Sequence, residues 1–170
     1  RIAIARAGNV IGGGDWSQDR LIPDCFKKWI KNQEVLIRNP NSTRPWQNVI
    51  DVVRGYTDLA LNLAKNKKLH GEVFNFGPNN NKNYRVIDIL NLIKKFWPQL
   101  KWKIKKNKIF FENSLLNLNS KKAKKNLKWT AKINFKMNIR LTVEWYREFA
   151  KNNKNLNKFT LNQLNETENL

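Results

Sequence analysis

Stretches with helical apolar spacing lie between short extended runs in this chain, and that alternation narrows the fold more than any other feature. Residues 51–64, "DVVRGYTDLALNLA", place apolar side chains at 52, 53, 56, 59, 60 and 63, one face of a helix. Residues 86–97 repeat the pattern and stop at Pro98, because the residue before a proline is driven out of helical backbone. Residues 21–32, "LIPDCFKKWIKN", predict a shorter helix with Pro23 near its start, and residues 138–151 a longer one. "IAIARA", "EVLIR" and "EVFNFG" read as strands, the last stopped by Gly77 and Pro78, while "NPNSTRP" reads as a loop. "KIFFEN" and "LLNLN" read as extended, and Asn119 or Ser120 caps a short helix through Leu127. Strands that alternate with helices predict an α/β fold. The polar tail from residue 152 is expected to be loosely held, although "FTLNQLNE" can pack locally.

The first strand runs into "GNVIGGGDW", and its glycines invite comparison with phosphate-binding loops. A dinucleotide fingerprint needs G-x-G-x-x-G opening a helix, and a P-loop needs G-x-x-x-x-G-K-[ST]. Gly8 and Gly13 have the P-loop separation, but Gly14 stands in the lysine position, and Ser17 takes the last glycine position of a frame begun at Gly12. Neither motif is present. The single cysteine, Cys25, allows no internal disulfide and fits a reducing compartment. One cysteine and one histidine exclude Cys/His zinc frameworks, so no metal site is expected. His70 reads as an exposed loop residue before a strand. No apolar run of about 18 residues is present, so no membrane span is expected. The chain opens on Arg1 inside an apolar strand, which reads as a piece of something longer.

The formal charge of +20 suggests a polyanion partner. Its distribution weakens that suggestion: residues 1–100 hold 16 basic and 8 acidic side chains, residues 101–170 hold 17 and 5. The excess is mostly lysine interleaved with asparagine, and the same bias recurs along the chain. A solvated basic surface is the expectation, with no nucleic acid as partner.

"RAGNVIGGGDW", "DRLIPD", "IRNPNSTRPWQNV", "FNFGP", "LNSKKAKKNLKW" and "TVEWYREF" occur in the order and spacing of the CDP-glucose 4,6-dehydratases, which belong to the extended short-chain dehydrogenase/reductase superfamily. The chain resembles the C-terminal half of that family. The resemblance implies the end of a Rossmann-like sheet plus a smaller α/β substrate domain. Residues 1–14 would finish the NAD-binding domain, 15–151 would be mostly the nucleotide-sugar domain with one or more segments returning to the Rossmann-like part, and 152–170 would be the tail. The resemblance also implies bound NAD, a cytoplasmic homodimer when complete, and conversion of CDP-glucose to CDP-4-keto-6-deoxyglucose. The family's catalytic Tyr-x-x-x-Lys pair has no counterpart here: Tyr56, Tyr84 and Tyr146 are followed four residues later by Ala60, Asp88 and Ala150. No catalytic residue is therefore expected in this chain, and by itself it should be inactive. Another NAD-dependent nucleotide-sugar epimerase or dehydratase is the alternative, followed by a non-catalytic basic module that binds nucleic acid.

By the same resemblance, Ala7 and Gly8 would lie beside the nicotinamide and Asn9 would reach the sugar or diphosphate. The three later glycines would turn the chain out of the sheet as hinge and packing residues. Arg44, in "RPW", would clamp the diphosphate, a task that suits a guanidinium because its fork donates paired hydrogen bonds and keeps its charge. Arg38 and Asn39 would stand near the base, and Arg20 and Leu21 would line the sugar-diphosphate path. Trp46 reads as a core residue beneath the loop. Glu112 falls where the family has a His-Glu pair, but Phe111 replaces the histidine, so a ribose contact there is in doubt. Asn119 and Lys128 replace the family's aspartate and glycine around the short helix; the lysine would take a left-handed position at a cost of about 1 kcal/mol.

Overall fold

The architecture comes from a computed structural model that describes residues 1–79, 83–105, 118–152, 154–168 and 170. In chain order it holds β1 (Ile4–Ala7), β2 (Val10–Ile11), α1 (Leu21–Trp29), β3 (Val35–Ile37), β4 (Thr43–Arg44), β5 (Gln47–Asn48) and α2 (Val49–Lys65). After a single 3-10 turn come β6 (Val73–Phe76), β7 (Tyr84–Arg85), α3 (Val86–Phe96), β8 (Trp102–Ile104), α4 (Lys121–Leu127), α5 (Phe135–Ala150) and α6 (Leu156–Glu168). Three strand pairs are parallel, β1 with β6, β2 with β5 and β3 with β8, and β4 with β7 is antiparallel. Parallel pairs need crossovers, and α2 supplies the one between β1 and β6.

Two apolar clusters hold these elements. The larger joins α1, α3 and α5 to β3, with Phe26 stacked on Tyr146 at a centroid distance of 4.0 Å. The smaller lies between α2, α4 and one face of the β1–β6 pair, where Leu59, Phe74, Phe76 and Trp129 meet the small side chains Ala3, Ala5 and Ala7. Helix α2 starts where it does because the Asn48 side chain accepts from the Ile50 amide at 2.9 Å and leaves that N–H partnered. One turn on, the buried Asp51 carboxylate accepts from the amides of Lys132 (3.1 Å) and Ile133 (3.0 Å), and so pins the α4–α5 connection to α2.

The predicted helices are present with small shifts of their ends. Asn119, and not Ser120, supplies the side-chain bond at the start of α4, accepting from the Lys121 amide at 3.0 Å. Lys128 closes that helix at φ 57°, the left-handed position foreseen for it. Three readings are corrected. The strand read as buried from Ile2 spans only Ile4–Ala7, and Ile2 and Ile4 point to the face that α2 leaves bare. The tail read as loosely held forms α6 over Leu156–Glu168: Gln163 donates to the Leu141 carbonyl at 2.9 Å, and the Trp145 indole N–H donates to Thr160 at 2.9 Å. The loop "NPNSTRP" contains a short strand, Thr43–Arg44. "KIFFEN" and most of "LLNLN" lie outside the described residues.

Candidate functional site

The carboxyl ends of β1 and β6 lie side by side, with Ala7 opposite Phe76, and each strand is followed by a glycine. Leu118 covers both glycines: a Cβ on Gly8 would meet its Cδ1 at 3.0 Å, and one on Gly77 would meet its Cβ and carbonyl oxygen at 3.0 Å. The space beside Gly8 is thus limited by Leu118. Asn9 follows at φ 48°, a left-handed turn that asparagine tolerates, and directs the chain into β2.

Gln47 ties this corner to the arginine loop. Its side-chain nitrogen donates to the carbonyls of Gly8 (3.0 Å) and Phe76 (2.8 Å), while its backbone N–H donates to the Asn9 carbonyl at 3.2 Å. Three residues upstream stands Arg44, half-buried on β4, with a guanidinium nitrogen 2.7 Å from the Thr43 carbonyl it donates to. Trp46 between them is buried and donates its indole N–H to the Tyr84 carbonyl at 3.2 Å, as a core residue under the loop should. The loop's other end is fixed by Ile87 and Val86, whose amides donate to the carbonyls of Pro40 and Ser42, each at 2.9 Å. Arg38 is exposed and Asn39 half-buried at the start of this loop. Ala7, Gly8 and Asn9 are therefore brought to the Arg44 loop by β5, and Gln47 is the residue that sequence reading passed over. Its signal was faint: one amide following a tryptophan, whose burial depends on two strands distant in sequence.

Arg20 ends the second loop, which carries the three glycines, and Leu21 opens α1. Gly13 packs against Trp145, and a Cβ there would fall 2.0 Å from the indole Cγ; Gly14 has φ +80°. These glycines are turn and packing positions, in keeping with the sequence. Tyr146 donates its hydroxyl to the Asp15 carbonyl at 2.5 Å, and Arg20 pairs with the Asp15 carboxylate at 3.5 Å. Partial burial pushes the Asp15 carboxyl up, but hydrogen bonds from Ser17 and the Arg20 charge outweigh it and hold the group below the ordinary carboxylate range. Burial, helped by the Asp15 charge, raises the Tyr146 phenol. Glu112 lies outside the described residues. Among the described residues no group of His, Cys, Asp and Glu side chains could hold a metal ion.

A parallel strand pair whose carboxyl ends open toward a polar loop is the place where open α/β sheets bind ligands. The chain shares its fold with nucleotide-sugar enzymes. It superposes on a UDP-glucose 4-epimerase from Stenotrophomonas maltophila, solved with NAD and a formylated UDP-arabinopyranose, with a TM-score of 0.72 at 16% identity, covering 88% of this chain and 48% of that one. Against a dTDP-glucose 4,6-dehydratase from Bacillus anthracis, solved with NAD, the TM-score is 0.66 at 19% identity, covering 91% and 47%. In sequence it is 35% identical over 151 residues to the CDP-glucose 4,6-dehydratase of Salmonella typhimurium, covering 88% of this chain and 42% of that protein.

The chain has the fold of the extended short-chain dehydrogenase/reductases. It spans less than half the length of the relative it matches, and the match lies in the C-terminal part of that dehydratase. No family model matches the chain. No helix among the described residues is long and apolar enough to cross a membrane.

Proposed function

We propose that this chain is the nucleotide-sugar-binding part of an NAD-dependent CDP-glucose 4,6-dehydratase. The observation that carries the reading is the 35% identity to the Salmonella enzyme over 88% of this chain. The bond network of Gln47 supports it, because it holds the Arg44 loop against the carboxyl end of β1. In this reading Arg44 grips the diphosphate with paired charge-assisted hydrogen bonds. Arg38 and Asn39 stand toward the cytosine, where donors meet its O2 and N3 acceptors. Asn9 reaches the sugar or diphosphate, and Arg20 and Leu21 line the path between them. Glu112 keeps only the role its position in the sequence suggests, a ribose contact.

Ala7 and Gly8, at the end of a parallel strand, fit one wall of an NAD site; the chain has no glycine fingerprint for the pyrophosphate, which must be held elsewhere. Bound there, NAD supplies hydride transfer to and from the sugar. The residues of this chain act at the other end of the substrate. The nucleotide does not react, yet the energy of holding it fixes the sugar at the reacting carbons. Turnover needs the tyrosine and lysine that this chain lacks, so the chain alone is inactive. The complete enzyme is a cytoplasmic lyase and a homodimer. A sibling nucleotide-sugar epimerase is the second reading, favoured by the 0.72 TM-score to the Stenotrophomonas epimerase.

A nucleotide titration separates the two. CDP should bind the chain more tightly than UDP or dTDP; a preference for UDP would favour the epimerase reading, and equal binding of all three would remove the assignment of the base.

A further inference from the structure

Strands β2 and β5 have different neighbours on their two sides. Side chains alternate along a strand, so Gln47 faces the corner at Gly8 and Phe76 while Asn48 faces away from it, toward Asn138. On the Asn48 side lies a cavity of about 330 Å³ between the glycine loop, α2, α5 and α6. Val49, Val53, Leu141, Trp145 and Leu164 make its apolar wall. Gly12 lets the loop backbone close one side, since a Cβ there would fall 2.5 Å from Val49 Cγ1. A volume of this size is at the lower end of the range for small-molecule sites.

Helix α6 closes the cavity with polar side chains and leaves it unfilled. Its buried residues are Gln163 and Thr167, while Leu161 is 57% exposed. Besides the bonds of Gln163 and Thr160, Arg140 pairs with Glu166, and Arg54 Nη2 donates to the Thr167 hydroxyl at 3.0 Å. Among the described residues Nη1 of the same guanidinium has no acceptor, although it is shut off from water. Asn48, in the cavity wall, donates its amide to Asn138 Oδ1 at 2.9 Å. The Nδ2 of Asn138, a residue 1% exposed, also has no acceptor. Two buried donors around one cavity thus lack acceptors, a condition that costs free energy until it is met. A carboxylate is acceptor-only and supplies what is missing, and Arg54 supplies the opposite charge.

Glu168 is the other charged residue of the lining, and it stands exposed. It disfavours a second negative charge, so a monoanion fits better than a phosphate or a dicarboxylate. We propose that this cavity is a second binding site, which takes a monocarboxylate with an apolar chain: the carboxylate on Arg54, the chain against Val49, Val53 and Trp145. Strands β2 and β5 lie between the cavity and the Gln47 corner, so both places can be occupied at once. The proposal does not depend on the functional reading above.

Isothermal titration of the 170-residue chain with octanoate, octanol and octylamine tests the site, in about 0.15 M salt to screen the surface lysines. Octanoate should bind one to one and at least about tenfold more tightly than octanol, because only the carboxylate makes the charge-assisted bond to Arg54. Octylamine should not bind. Arg54→Gln should remove the preference for octanoate and leave octanol binding unchanged. Leu164→Trp, at a partly exposed position of α6, should fill the cavity and abolish binding of both. Far-ultraviolet circular dichroism of the two variants should match the parent chain, and saturating CDP should leave octanoate affinity unchanged. The proposal is overturned if octanoate does not bind the parent chain, binds it no better than octanol, binds both variants as well as the parent, or competes with CDP. A chain that binds octanoate but not CDP would fault only the functional reading.

Discussion

Gln47 donates to the carbonyl of Gly8 at 3.0 Å, across 39 residues of sequence, and the same nitrogen reaches Phe76 at 2.8 Å. One buried side chain thus joins the carboxyl ends of two parallel strands to the segment that carries Arg44. Replacing it by leucine keeps the bulk and leaves two carbonyls without that donor. Gln47→Leu should cost about 1–3 kcal/mol, the penalty for buried polar groups left unpaired. Urea unfolding followed by circular dichroism measures it; an unchanged midpoint would show that the corner is held by packing alone.

Gly13 and Trp145 are a second coupled pair. A methyl group at Gly13 would fall 2.0 Å from the Trp145 Cγ, so Gly13→Ala should destabilise the chain by about 1–3 kcal/mol, as overpacking does. Trp145→Ala in the same chain should return part of that loss. Additive losses in the double variant would mean that the contact is not the cause.

How much of this was legible beforehand varies with the physics of each element. Helices α2 and α3 were readable because their apolar residues repeat at the helical period. The two-residue strands β2, β5 and β7 were not, since their pairing is set by neighbours far away in sequence and not by local propensity. Strand β8, Trp102–Ile104, was hidden inside a lysine run that reads as surface charge. Helix α6 was obscured by its polar composition; it is held by Gln163 and Thr167, which are buried although neither is apolar. For the candidate site, Arg44 and Asn9 were proposed through resemblance, while the ties of Gln47 could be found only once both strands were in place.

Asp15 makes stability depend on acid. Its folded value lies below the ordinary carboxylate range, so its contribution is complete above the unfolded value of about 4 and is lost as pH falls through the folded one. Between pH 7 and pH 3 the parent chain should lose more stability than Asp15→Asn. Parallel curves for the two would show that Ser17 and Arg20 do not favour the charged form.

Cys25 is almost fully buried, and burial pushes its thiol up to about 12. At pH 8 the native chain should resist a thiol-specific reagent that labels it stoichiometrically in denaturant. Fast labelling of the native chain would place α1 outside the core.

The central claim is that the loop at Arg44 binds the diphosphate of a cytidine nucleotide. Isothermal titration with CDP tests it most directly, comparing the parent chain with Arg44→Ala. The alanine should weaken binding by about 1.5–3 kcal/mol, roughly ten- to a hundredfold, with the helical circular dichroism signal retained. CDP bound with the same affinity by a folded Arg44→Ala chain, or not bound by the parent chain at all, would contradict the account.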